Sequence, residues 1–122
     1  MDYLIVFFGG GIGAALRYSV GRASSAWLGM DFPGTMFVNI AGSLLMGALA
    51  QLLLGLSDDM QQWRLFLTTG VLGGFTTFSA FSLDSAGMLQ RGDYLLCAAY
   101  AIGSVALSIA ALLAGMAAVR AG

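Results

Sequence analysis

Apolar residues run along the chain in four blocks, and the polar residues between them are few and clustered. The first block extends from Tyr3 to about Gly21 and carries Arg17 near its end. The second is uncharged from Phe32 to Ser57, the third runs from about Trp63 to Leu83, and the fourth is uncharged from Tyr94 to Val119. A helix needs about 20 mostly apolar residues to cross a bilayer. The pattern therefore predicts a single all-α membrane domain over residues 1–122, with four transmembrane helices at about 3–21, 33–56, 63–83 and 94–119. Pro33 suits the first turn of the second helix, where its missing N–H costs nothing. The connectors, Arg22 to Asp31, Ser57 to Gln62 and Asp84 to Asp93, are short and polar. Tyr3, Trp27, Trp63 and Tyr94 fall near the predicted ends, at the depth of an aromatic belt. Only Asp2 precedes the first apolar run, so a basic leader region is missing and this block reads as a retained span rather than a signal peptide.

Residues four apart share a helix face. In the second block Asn39, Ser43, Gly47 and Gln51 form such a row; in the fourth, Tyr100, Ser104 and Ser108 do; in the first, Gly9, Gly13 and Arg17 do. Small residues at this spacing let helix backbones approach, and packing accounts for Gly9 with Gly13 and for Ser43 with Gly47. Asn39 is different. An unpaired amide in hydrocarbon costs roughly 2–7 kcal/mol, so it serves either as interhelical glue or as a pathway residue. Arg17 either snorkels to the interface or acts within the membrane.

The third block departs furthest from an ordinary span. Gly73-Gly74 could be a packing notch in a continuous helix, but followed by Thr76-Thr77 it is poor helix-forming material, which predicts a broken helix near the middle of the block. Irregular backbone at membrane depth is tolerated where it is buried or lines a wet cavity, and its freed carbonyls can hold a cation. Phe78 and Phe81 follow, interleaved with Thr77, Ser79 and Ser82. An aromatic pair at helical spacing usually serves packing; a ring also has a positive edge, so one presented edge-on can instead meet an anion without supplying a full charge.

Composition narrows the chemistry. Charged residues make up only 9% of the chain, against about 25% in soluble domains. The charges are five Arg and six Asp, with no Lys, Glu or His. A basic nucleic-acid surface, a histidine-based metal site and acid–base chemistry by His or Glu are all excluded. Cys97 is the single cysteine and reads as a small buried hydrophobe. With four spans, Arg64 and Arg120 lie on one side of the membrane and Arg22 and Arg91 on the other, with Arg17 deeper. Orientation follows an imbalance of such charges, and this near-balance predicts dual topology. Four short helices also enclose little space. Two inverted copies paired about an axis in the membrane plane would supply the missing walls.

Three motif blocks in order, GGGIGAALRY (Gly9 to Tyr18), Asn39 with Gly42-Ser43 and Gly47, and TTGVLGGFTTFSAFS (Thr68 to Ser82), resemble the bacterial fluoride channel family, often called Fluc or CrcB. The resemblance covers nearly the whole chain, and its third block is the most specific. It implies a dual-topology antiparallel homodimer in the bacterial inner membrane, with two fluoride pores. It further implies that Asn39 lines a pore, that Phe78 and Phe81 present ring edges to the anion, and that Ser79, between them, and Thr77 belong to the same path. Tyr100, Ser104 and Ser108 match a polar track on the fourth helix, and Arg17 matches an arginine closing the first. A structural Na⁺ at the dimer interface would rest on backbone carbonyls at the positions of Gly73 and Thr76. Ala80 departs from the family pattern, where a hydroxyl residue is usual, and Asp84 stands where glutamate is common.

The function this implies is passive export of cytoplasmic fluoride, which relieves its toxicity. Two other classes compete. A small multidrug-type proton-coupled antiporter shares the short spans but needs a membrane-embedded glutamate, and this chain has none. A non-transporting membrane scaffold would explain the glycines, but not Asn39, Arg17 and the polar third block together.

Overall fold

From Asp2 onward no proline interrupts the chain until Pro33, and Arg22 to Leu28 contains no glycine either. Helix α1 accordingly runs over Asp2–Leu28, well past the expected end near residue 21, and stops at Gly29, whose φ of 69° is left-handed. Arg22 thus belongs to a helix and not to a connector. The computed structural model describes residues 1–55 and 57–122. Helix α2 spans Phe32–Leu53, with Pro33 in its first turn; the expected end at residue 56 lies outside the described residues.

The α1–α2 corner is held by Ser24. Its hydroxyl donates to the Met30 carbonyl at 2.6 Å and accepts the Gly34 amide at 3.0 Å, so one buried side chain satisfies both the turn and the start of α2. Helix-start hydroxyls of this kind are worth about 1 kcal/mol. Ser24→Ala is expected to destabilise the protein by about that amount in a detergent melting experiment. Unchanged melting would show that the corner is held by packing alone.

The third span, Asp58–Gln90, is the irregular one. A 3-10 turn at Asp58–Met60 leads into α3, residues 61–75. Its ends, Gln61–Arg64 and Gly73–Phe75, are α-helical, but Leu65–Leu72 between them is π-helical. Thr76 then turns extended, with φ −86° and ψ 157°, and helix α4 begins at Ser79 and runs to Gln90. The glycine doublet where the sequence places the interruption is itself helical; the irregular residues are Thr76–Phe78. Gly74 is needed for another reason, since a Cβ there would collide with the Gly10 backbone of α1. Gly92, at φ 81°, turns the chain into α5, Tyr94–Ala121. Asp84, expected in a connector, lies inside α4 because the helix continues without a breaker to Gln90.

Two helix pairs carry the packing: α2 with α5, and α1 with α3. Both rest on glycines facing backbone. A Cβ on Gly47 would overlap the Leu112 carbonyl, and one on Gly115 would overlap the Leu44 carbonyl, so α2 and α5 interlock reciprocally. Likewise Gly9 meets Gly70, and Gly13 meets the Val71 carbonyl and the Phe75 amide. The buried apolar core among the described residues is small: Val38, Leu53, Leu72, Met88 and Tyr100. Most leucines, and Phe7, Phe8, Phe37 and Phe78, face outward. Burial inside the protein does not account for four helices this apolar; a bilayer as solvent does. The chain is a multi-pass membrane protein with four helical spans long and apolar enough to cross.

Candidate functional site

Extended backbone at Thr76 leaves the polar groups of Thr77 without helical partners, and the α2 row supplies them. Asn39 Nδ2 donates to the Thr77 carbonyl at 2.9 Å, and the Thr77 amide donates to Asn39 Oδ1 at 2.8 Å. One side-chain amide therefore closes a two-bond ring with the irregular segment. Arg17, four residues beyond Gly13, sends Nε to the Gly74 carbonyl at 3.1 Å. Thr76 Oγ1 donates to the Leu72 carbonyl at 3.0 Å, and Thr77 Oγ1 lies 3.2 Å from Ser79 Oγ. The interruption is thus braced from α1, from α2 and by its own hydroxyls.

Beside it lies an open-sided groove of about 550 Å³. Asn39 and Ser43 of α2, Gly73, Thr76 and Thr77, the rings of Phe78 and Phe81, and Ser104 and Ser108 of α5 line it. No carboxylate and no guanidinium is among its lining residues. Ser104 Oγ is buried and has no hydrogen-bond partner among the described residues. Ser85 Oγ, outside the groove, is likewise buried and unpaired among the described residues.

The rings form a column. Phe78 and Phe81 have centroids 5.5 Å apart, Phe81 and Tyr100 5.0 Å, and Tyr100 and Phe32 5.3 Å. Tyr100 donates its hydroxyl to Asp84 Oδ2 at 3.0 Å. Phe78 is 77% exposed on the single chain, an unusual position for a ring in a row of otherwise packed aromatics.

A second cavity of about 360 Å³ adjoins the groove through Thr77, which lines both. It holds Arg17 and Arg22, with Tyr18, Ser25, Asp31 and Thr35. Two guanidiniums facing a single carboxylate give this cavity a positive potential, which attracts anions and repels cations.

Comparison with known proteins then places the chain. A family model described as CrcB-like protein, Camphor Resistance (CrcB), matches residues 4–116. The chain belongs to this family. Fluoride-specific ion channel FluC 2 of Nitrobacter hamburgensis is 51% identical to it over 121 residues, covering 98% of each chain. Fluoride-specific ion channel FluC of Rhodopseudomonas palustris is 52% identical over 122 residues, covering 99% of this chain and 98% of that one. The FluC of Granulibacter bethesdensis is 50% identical over 121 residues.

Within this CrcB-like chain the structure brings together most residues singled out from the sequence. Asn39, Thr77, Phe78, Phe81, Ser104 and Ser108 share the groove with Gly73 and Thr76. Ser79 and Tyr100 are not among its lining residues: Ser79 lies beside Thr77 and Tyr100 packs on Phe81, while Arg17 sits in the adjoining cavity. Three features went unforeseen. Arg22 and Thr35 line the second cavity; Thr35 lies four residues before Asn39, so extending that row by one turn finds it. The Tyr100–Asp84 bond joins two helices with no shared motif, and nothing in the sequence signals it. The π-helical stretch likewise has no sequence mark.

Proposed function

We propose that this protein is a passive fluoride-selective channel of the bacterial inner membrane, working as an antiparallel, dual-topology homodimer that exports cytoplasmic fluoride. It is not an enzyme. The observation that carries the reading is the groove itself: amide, hydroxyls and aromatic rings without a fixed charge, in a chain about half identical to fluoride-specific channels over its full length. A small anion holds its water tightly. Ring edges and hydroxyls replace that water weakly enough for the ion to leave again. An inside-negative membrane supplies the drive, roughly 2.3 kcal/mol per charge per 100 mV.

The second copy is argued from the open side of the groove and from exposed Phe78, which need a wall that one chain does not have. Near-equal arginine counts on the two sides permit both orientations. The same segment suits a sodium ion. Thr77 gives its amide to Asn39 and so withholds it from the Gly73 carbonyl, and the Thr76 carbonyl leaves the helical direction. Oxygen donors of this kind are what a hard cation takes. Gly73 and Thr76 are the residues that would hold it, with the partner copy completing the set, and the ion would supply positive charge that pins the interruption.

Proteoliposomes loaded with fluoride and chloride, with a potassium ionophore to clamp voltage, provide the test. Rapid fluoride release read by an ion-selective electrode, with chloride retained, is expected. Release no faster than from protein-free liposomes, or equal loss of both halides, would remove the proposal.

A further inference from the structure

We infer that Asn39 is a positioning residue that keeps the third span open, and that it does so by holding the amide of Thr77 away from Gly73. This rests on the cation reading of Gly73 given above and deepens it. In a continuous α-helix the amide four residues on would bond to the Gly73 carbonyl. That amide belongs to Thr77, and it lies 2.8 Å from Asn39 Oδ1 instead. The carbonyl of the same residue is held at 2.9 Å by Asn39 Nδ2. Both backbone groups of Thr77 are therefore committed to one side chain on another helix, 38 positions away in sequence. Neighbouring carbonyls are accounted for separately: Leu72 accepts from the Thr76 amide and hydroxyl, and Gly74 accepts from Arg17. Gly73 is the carbonyl whose helical donor Asn39 has taken.

Two consequences follow. Asn39 spends its acceptor and one donor on protein, so its contribution to the groove is the shape of the backbone and at most one remaining N–H. The anion path and the cation site are also mechanically joined: the bond that shapes the groove wall is the bond that frees the carbonyl. Without the Asn39 acceptor, the Thr77 amide returns to Gly73, the helix closes by one bond, and the carbonyl is no longer offered to an ion.

The Gly73 carbonyl can be read directly in the full-length protein in detergent. Combined ¹³C′-glycine and ¹⁵N-glycine labelling selects Gly–Gly pairs, which here are Gly9-Gly10, Gly10-Gly11 and Gly73-Gly74. Asn39→Leu keeps the volume and removes both polar groups. In it the Gly73 ¹³C′ resonance is expected to move downfield, as for a carbonyl gaining a donor, and to stop responding to added NaCl against a choline chloride control. Asn39→Asp keeps the acceptor and should leave the resonance near its wild-type position. A Gly73 resonance unmoved in Asn39→Leu, or moved equally in both variants, overturns the inference. A downfield shift in Asn39→Leu with no sodium response in any of the proteins upholds the clamp and removes the cation reading. Should Asn39→Leu not fold, Asn39→Ala makes the same removal with less bulk.

Discussion

Fluoride release through Phe81→Leu protein is expected to be roughly tenfold slower than through wild type, with a modest fall in melting temperature. Phe81 stands in the middle of the ring column, 5.5 Å from Phe78 and 5.0 Å from Tyr100. Leucine preserves apolar volume but has no polarised edge. Each ring pairing is worth about 0.5–1.5 kcal/mol beyond its buried area, and the ring's contact with a passing anion is taken as similar. Only the anion contact acts on the barrier, where each 1.4 kcal/mol is about tenfold in rate; the two lost ring pairings act on the folded state. The stability loss should stay modest because Phe81 is only half-buried in the chain. Electrode traces at the wild-type rate would mean that the rings are packing and that the anion travels elsewhere.

The largest stability loss is expected at Gly47. A side chain there meets the Leu112 carbonyl, a backbone atom on a helix that cannot yield without moving as a body. Inserting bulk into packed interiors usually costs about 1–3 kcal/mol, and a backbone obstacle puts Gly47→Val at or beyond the top of that range. Since α2 and α5 make the most extensive contact in the fold, the two helices should separate and the groove between them should be lost with them. Gly11→Ala is the comparison, because nothing lies within 4 Å of a Cβ placed there and alanine favours a helix. Thermal unfolding followed by size-exclusion in detergent separates the two cases. A Gly47→Val protein that elutes and melts like wild type would refute the interlocked packing of α2 and α5.

What the sequence makes legible is governed by local physics. Four apolar blocks disclose four spans because the bilayer imposes a length, whatever the partners. The turns at Gly29 and Gly92 fall at glycines, which take positive φ freely. The polar rows of α2 and α5 point into one groove because helical spacing is a local property. What stays hidden depends on distant residues. Arg22 to Leu28 reads as a connector because Arg22 is charged, yet a charge does not end a helix and no breaker appears before Gly29. The interruption falls at Thr76–Phe78 and not at the weaker helix formers Gly73-Gly74, because Asn39 and Arg17 reach it from other helices while Gly10 holds Gly74 in place. The π-helical bonds of Leu65–Leu72 shift the helical phase, so a wheel drawn at 100° per residue loses register across them. Asn39 itself was open to two readings from sequence, and the geometry joins them: it bridges helices and also lines the groove.

Thr77 belongs to the walls of two chambers, one lined by arginines and the other by rings. An ion passing between the chambers on the proposed route moves by this shared threonine, and resistance would concentrate there as in a narrow neck between two wide vessels. Enlarging either vessel would then scarcely alter the current, whereas trimming the threonine's methyl group would act on the bottleneck itself.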